Sequence, residues 1–328
     1  MADKITLRDK LLSLATGWWR EAADQAAEAT TQALDQLQGL AREMPIAEVP
    51  AAVPQPSSNP GHLTLHTHIP QGLPTGAPLV VLLHGCGQEP QSFARETGWR
   101  SLADRHGLAL LMPGQTEANN SQTCFNWFRP GDTARGQGEA GSIAAMTEAV
   151  ITAHRCDRRR VFATGLSAGG AMTASLLAAY PDVFAAGAVV AGLPAGAANN
   201  VMSAMSRMAG RGGERSRSEW LGLARAQAPE GFTGLWPRLS IWHGSADNVV
   251  APSNGLDLAR QFASLHGVIQ SISRPRFARG VQHTVWNAND HPVVELWQLD
   301  GVGHLYPTPD QCGISAAEHI LTFWGLTP

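Results

Sequence analysis

From Leu79 onward the chain alternates short apolar runs with stretches of helical periodicity, and this rhythm limits its possible folds more than any other feature. Leu79 to Leu83, Leu108 to Met112, Val161 to Thr164, Ala185 to Val190 and Leu239 to Trp242 are each four to six residues long. Strands covered by helices on both sides read this way, as near-continuous apolar runs without polar alternation. Helical patterns fill the gaps at about 139–155, 168–180, 254–266 and 315–325. The expected class is α/β, with a mostly parallel central sheet and helices on both faces. Segment 196–235, with Arg211-Gly212-Gly213 and Arg215, breaks the rhythm. It is long for a connection and reads as a mobile, cap-like excursion near the site.

Ahead of the core runs, His62 to Ile69 alternates with period two, as a half-buried strand does, which makes His66 and His68 its solvated face and not ligands. Residues 45–60 hold Pro45, Pro50, Pro54, Pro56 and Pro60 with Ser57 and Ser58, the composition of an extended linker. Residues 1–44 place Leu11, Leu14, Trp18, Ala22, Ala26, Ala33, Leu37 and Leu40 at helical steps. This amphipathic segment is expected to dock on the domain or on a second subunit, or to touch a hydrophobic surface. Its polar face lacks the Lys/Arg richness of interfacial helices. The division is therefore an N-terminal helical segment at 1–44, a Pro/Ser-rich linker at 45–60 and a catalytic domain at 61–328.

A net charge of −3 and 16% charged residues offer no basic excess for nucleic acid. The alanine-rich stretch from Met172 to Val190 is interrupted by Pro181 and Asp182, so no window is long and apolar enough for a transmembrane segment. Lys4, Arg8 and Lys10 precede an apolar stretch broken by Arg20 and Glu21, which is not a secretory signal and points to the cytoplasm. Cys86, Cys124, Cys156 and Cys312 lack C-x-x-C spacing, so no metal is expected, and no motif implies a cofactor. A cytoplasmic chain would keep these thiols free, whereas the even count permits bridges after export.

The strand Val161 to Thr164 runs directly into Gly165-Leu166-Ser167-Ala168-Gly169-Gly170, and an apolar helix follows through Met172, Leu176 and Leu177. A serine at such a junction sits in a strained turn and needs small neighbours where strand and helix backbones crowd together. Ser167 is the expected nucleophile. Its hydroxyl needs a histidine to take the proton and a carboxylate to hold that imidazole in the useful tautomer. Asp247 follows the strand Leu239 to Trp242, at the carboxyl end where the acid belongs, while Asp257 reads as a helix-face residue. His304 lies in Asp300-Gly301-Val302-Gly303-His304, just past the last strand, Val294 to Leu299, and is the expected base. His283 and His291 flank the turn Asn287 to Asp290 and are weaker rivals; His243 reads as a structural histidine or one that orients the acid.

The tetrahedral intermediate of acyl transfer needs two fixed N–H donors. Ala168, directly after the nucleophile, supplies one from its backbone. The loop Leu83-His84-Gly85-Cys86-Gly87-Gln88 follows an early central strand and offers the backbone N–H of Cys86 as the second. Cys86 as a nucleophile or redox centre is the minority reading.

These motifs, with Cys124-Phe125-Asn126-Trp127-Phe128 and Arg135-Gly136-Gln137-Gly138-Glu139, resemble in order and spacing the polyhydroxybutyrate depolymerase family of esterases, over about residues 62–328. The resemblance implies an α/β-hydrolase fold and cleavage of 3-hydroxybutyrate polyester or other short-chain esters, with feruloyl and acetylxylan esterases as relatives. It further implies a Cys86–Cys124 disulfide and an extracellular setting. Cys156 and Cys312 are expected to stay unbridged. Asn126, Trp127, Phe128 and Tyr306 are candidates for an apolar acyl or polymer pocket. The family pattern usually continues the histidine motif as Gly-His-Ala-Trp-Ser-Gly-Gly, whereas this chain reads Gly303-His304-Leu305-Tyr306-Pro307. Two other readings of the site stand beside the esterase: a serine peptidase or thioesterase, and an idle hydrolase fold that binds polymer.

Overall fold

A computed structural model of the chain describes residue 56 and residues 58–268, 276–278 and 280–327. The readings made on 1–44 and on most of the linker lie outside the described residues. Pro50–Pro328 forms one compact unit.

The nine described strands form one sheet: β1 (Thr64–His68), β2 (Leu79–Leu83), β3 (Ala109–Gly114), β4 (Val161–Leu166), β5 (Ala186–Val190), β6 (Arg238–Gly244), β7 (Arg276–Ala278), β8 (Val281–Ala288) and β9 (His291–Leu299). Their order is β1-β3-β2-β4-β5-β6-β9-β8-β7. The pairs from β3 to β9 are parallel, and β1, β8 and β7 add antiparallel edges. This is the mostly parallel α/β sheet expected of the apolar runs.

Strand β2 shows why those runs read as they do. Leu79, Val81 and Leu83 enter one core layer, against Ile143, Met146 and Val150 of the helix Gly138–His154 and Leu258 and Phe262 of the helix Ser253–Leu265. Val80 and Leu82 enter the opposite layer, against Trp99, Leu102, Ile320 and Trp324. Side chains alternate across the pleat, and both faces are dry, so no polar position interrupts the strand. Each leucine so buried contributes about 1.5–3 kcal/mol.

Six described helices escaped the periodicity reading: Pro90–Glu96, Trp99–His106, Pro130–Thr133, Pro309–Cys312, Val201–Met208 and Arg217–Arg225. The last two lie in the stretch expected as a mobile excursion. Both carry capping boxes, Asn200 with Ser203 and Ser216 with Glu219. Ser216-Arg217-Ser218-Glu219 is a helix-start signature that the sequence displays openly. The turn between β8 and β9 holds Asn289 and Asp290 at φ of 49° and 64°, the left-handed pair a tight hairpin requires.

Candidate active site

Ser167 stands between β4 and the helix Ala168–Ala179 with φ 57° and ψ −118°. A side chain in that region costs about 1–3 kcal/mol, and the surroundings must hold it there. Its N–H donates to Val190 O at 2.9 Å, and its carbonyl accepts from Ala171 N at 2.9 Å. Gly169 makes the close approach possible, since a Cβ there would lie 2.3 Å from Leu83 O. The helix start is thereby pressed against the loop that follows β2.

That loop is fixed by a buried imidazole. Gln115 donates its backbone N–H to His84 Nε2 at 3.1 Å, so Nε2 is an acceptor and Nδ1 carries the proton, which it gives to Gly85 O at 2.8 Å. Burial holds the His84 pKa below the ordinary value, consistent with a neutral ring. Gly85 N–H donates to Gln88 Oε1 at 2.8 Å. Cys86 and Cys124 form a disulfide with Cα atoms 4.2 Å apart. Among the described residues no hydrogen bond engages the backbone N–H of Cys86 or of Ala168.

Asp247 and His304 meet beyond the carboxyl ends of β6 and β9. His304 Nδ1 lies 2.8 Å from Asp247 Oδ2 and donates to it, which leaves Nε2 as a lone-pair acceptor. Asp247 Oδ1 accepts the backbone N–H groups of Val249 and Val250, both at 2.9 Å. Burial alone would raise the carboxyl pKa; the bonds from His243, His304 and the two amides outweigh it and hold the group well below the usual range. The two loops are stitched together: Ala246 N–H donates to Val302 O at 3.0 Å, Ser245 N–H to Leu299 O at 2.8 Å and Gly301 N–H to Ser245 Oγ at 2.9 Å. Gly244 is needed at the contact, because a Cβ would fall 2.1 Å from Val302 O.

A cavity of about 410 Å³ opens beside Ser167, Ala168 and Cys86. Trp127 and Phe128 line it, packed edge to face at 5.7 Å, with Leu193, Val250 and the side chains of Val201, Ala204, Met205 and Met208 from the helix Val201–Met208. Arg129 is its one charged lining residue.

Two expected pocket residues are elsewhere. Asn126 is buried and gives its backbone N–H and Nδ2–H to Glu139 at 2.8 and 2.6 Å, while its Oδ1 accepts from Asn120 Nδ2 at 3.0 Å. It braces the wall that carries Trp127 and, 2% exposed, is not part of the cavity lining. Tyr306 points into the core, where its hydroxyl accepts from Trp99 Nε1 at 2.8 Å and its ring meets Phe93 at 5.7 Å. Of the rival histidines, His283 is held by Glu295 at 2.9 Å on β8, and His291 begins β9 at the opposite end of that strand from His304. Asp257 pairs with Arg260 at 3.1 Å on its own helix. Cys156 and Cys312 are free.

Several positions of consequence were not anticipated. Glu139 lies 1% exposed at the centre of the Gln115–Asn126 network, and burial pushes its carboxyl up to about 7 against the pull of those N–H donors. His84, Gln115 and the methionine-bearing helix wall also went unread. The wall carried two sequence signals, the Asn200 cap and the helical spacing of Val201, Ala204, Met205 and Met208.

A strained serine directly after a central parallel strand, an Asp–His pair beyond the carboxyl ends of two further parallel strands and two unengaged amides define an α/β-hydrolase. The sequence profile of the family described as Esterase PHB depolymerase matches residues 63–284. The chain is 42% identical over 266 residues to the poly(3-hydroxyalkanoate) depolymerase C of Paucimonas lemoignei, covering 79% of this chain and 64% of that protein, less than two thirds of its length. It is 33% identical over 277 residues to feruloyl esterase B of Neurospora crassa, covering 82% and 90% respectively. The structure of an acetyl xylan esterase from Aspergillus awamori superposes with a TM-score of 0.72 at 23% identity, over 82% of this chain and 96% of that one, which is a likeness of fold. The chain belongs to the PHB depolymerase family of esterases. The family match includes Ser167 and Asp247 but ends before His304, whose assignment rests on its bond to Asp247. Among the described residues no His, Cys, Asp and Glu group suits a metal ion, and no helix is long and apolar enough to cross a membrane.

Proposed function

We propose that this chain hydrolyses esters of hydroxyalkanoic acids, as polyester or oligomer, through an acyl-enzyme on Ser167. The observation that carries this reading is the apolar cavity of about 410 Å³ opening on Ser167, with the unengaged Cys86 and Ala168 amides on its lining. His304 Nε2 takes the Ser167 proton as Oγ bonds to the carbonyl carbon. The oxyanion receives the two backbone N–H groups. Collapse passes the proton from His304 to the departing alcohol, and water, deprotonated by the same nitrogen, then releases the acid and restores Ser167. Residues 61–328 serve as the catalytic domain, with 196–235 as a cap whose first helix walls the pocket. The depolymerase relative supports the substrate class; the Neurospora relative supports feruloyl esters as the second reading, for which Trp127 and Phe128 offer aromatic faces.

The test compares kcat/KM on 3-hydroxybutyrate oligomers, polymer film, and feruloyl and acetyl esters, with Ser167→Ala alongside. Preference for the hydroxybutyrate series, abolished in Ser167→Ala together with labelling by a serine-directed phosphonate, is the expected result. Normal turnover by that variant would overturn the mechanism, and a preference for feruloyl or acetyl esters the substrate class.

A further inference from the structure

His243, the penultimate residue of β6, is 3% exposed. Its Nε2 lies 2.9 Å from Val250 O and 3.3 Å from Asp247 Oδ2. Both are acceptors, so Nε2 carries the proton and shares it between them. Nδ1 is buried and has no partner. It faces the first turn of the helix Ser253–Leu265, where a Cβ on Gly255 would come within 3.2 Å of it. A proton on Nδ1 would find no acceptor there and would meet the positive end of the helix. The geometry therefore places the ring's donated proton on Nε2.

Asp247 thus receives four donors. Two backbone amides hold Oδ1, and two imidazoles share Oδ2, His304 at 2.8 Å and His243 at 3.3 Å. The other charged groups on the elements packed around this pair are engaged elsewhere. Arg207 lies 3.6 Å from Asp257, Asp257 accepts from Arg260, Asp300 accepts from Ser245 Oγ, and Glu295 holds His283. His243 and His304 are therefore the only side chains that contact the Asp247 carboxylate among the described residues.

We propose that His243 is a positioning residue for ester hydrolysis: its Nε2–H fixes the plane of the Asp247 carboxylate, and through it the direction in which His304 presents Nε2 to Ser167. The inference rests on His304 being the base. A ring that merely filled space against the helix would need no tautomer and no contact with Oδ2. Removing the Nε2–H leaves more negative charge on Oδ2 for His304 alone, which raises the basicity of His304 and loosens the carboxylate plane.

The experiment uses the full chain and a soluble short-chain chromogenic ester, with active sites counted by phosphonate titration. His243→Leu removes the donor, His243→Gln keeps an N–H of comparable reach, and His243→Asn keeps polarity with too short a reach, serving where the leucine variant does not fold. The leucine or asparagine variant is expected to lose kcat per site on the order of 10- to 100-fold. KM should stay within about twofold, the acid limb of kcat/KM should move to higher pH, and glutamine should restore most of the rate. An unchanged kcat and acid limb, a loss confined to KM, or a glutamine variant as impaired as leucine would each overturn the proposal. His304→Gln is the control: if it retained activity, the assignment of the base would fall first, whatever the His243 variants did.

Discussion

Glu139 accepts both N–H donors of Asn126, the backbone at 2.8 Å and the side-chain amide at 2.6 Å, and takes a third from Gln115 Nε2 at 2.5 Å. One buried carboxylate thereby joins the start of the Trp127 wall to the strand end that holds His84. Its pKa, raised to about 7, makes it a liability at neutral pH: the folded chain binds a proton that the unfolded chain has already lost between about 4.5 and 7. Stability contributed by this group is highest below that window and falls as pH rises through it. Relative to Glu139→Gln, which has no such proton, the wild type should gain about 2 kcal/mol between pH 7.5 and pH 5. Urea unfolding of both proteins at the two pH values measures it, and parallel pH profiles would contradict the assignment.

The Cys86–Cys124 bridge ties a proposed oxyanion donor to the loop that leads into the pocket wall. Cys124→Ser should lower kcat by about 10- to 100-fold on every ester, with less effect on KM, since one misplaced donor costs up to about 3 kcal/mol in the transition state. Wild type treated with reductant should show the same loss and recover on reoxidation. A reduced enzyme of full activity would place the bridge outside catalysis.

Met205 lines the cavity together with Val201, Ala204 and Met208 of the same helix, and as a long side chain at that wall its size should set the accommodated chain length. Met205→Trp is expected to reduce kcat/KM for hexanoyl esters by about 10-fold while acetyl esters change little, in line with about 1–3 kcal/mol per displaced methylene group or two. Steady-state kinetics on an acyl-length series decides this, equal losses across the series being the contrary outcome.

Tyr306 was expected in the pocket and is found in the core. Tyr306→Phe leaves Trp99 Nε1 without its acceptor and should destabilise the fold by about 1–3 kcal/mol. Substrate preference should be untouched. A changed ester spectrum at unchanged melting temperature would return Tyr306 to the pocket.

The sequence displayed what depended on local repetition. Leu79 to Leu83 read as a doubly covered strand because every position is dry, and the Ser167 elbow announced itself because strand, glycines and helix are consecutive. What escaped it was decided by partners far along the chain. Asn126 looked like a recognition amide, but Glu139, thirteen residues on, binds its backbone N–H and its side-chain amide and holds it in the interior. Tyr306 looked like a pocket aromatic until Trp99, more than two hundred residues earlier, supplied its partner. The helices Val201–Met208 and Arg217–Arg225 are about two turns long, so their helical spacing is brief and their caps are the clearer signal. His243 was left with two readings because its tautomer depends on Val250 O, Gly255 and Asp247 together.

The stitching of the Asp247 and His304 loops has a consequence for how such a chain tolerates change. The proposed base is held from both sides, by the Ser245–Gly301 and Ala246–Val302 bonds and the fit of Val302 over Gly244 before it, and by the Tyr306 hydroxyl seated on Trp99 after it. Where this chain departs from its family's usual histidine motif, at Leu305-Tyr306-Pro307, it therefore gains a second anchor for the loop in a buried tyrosine.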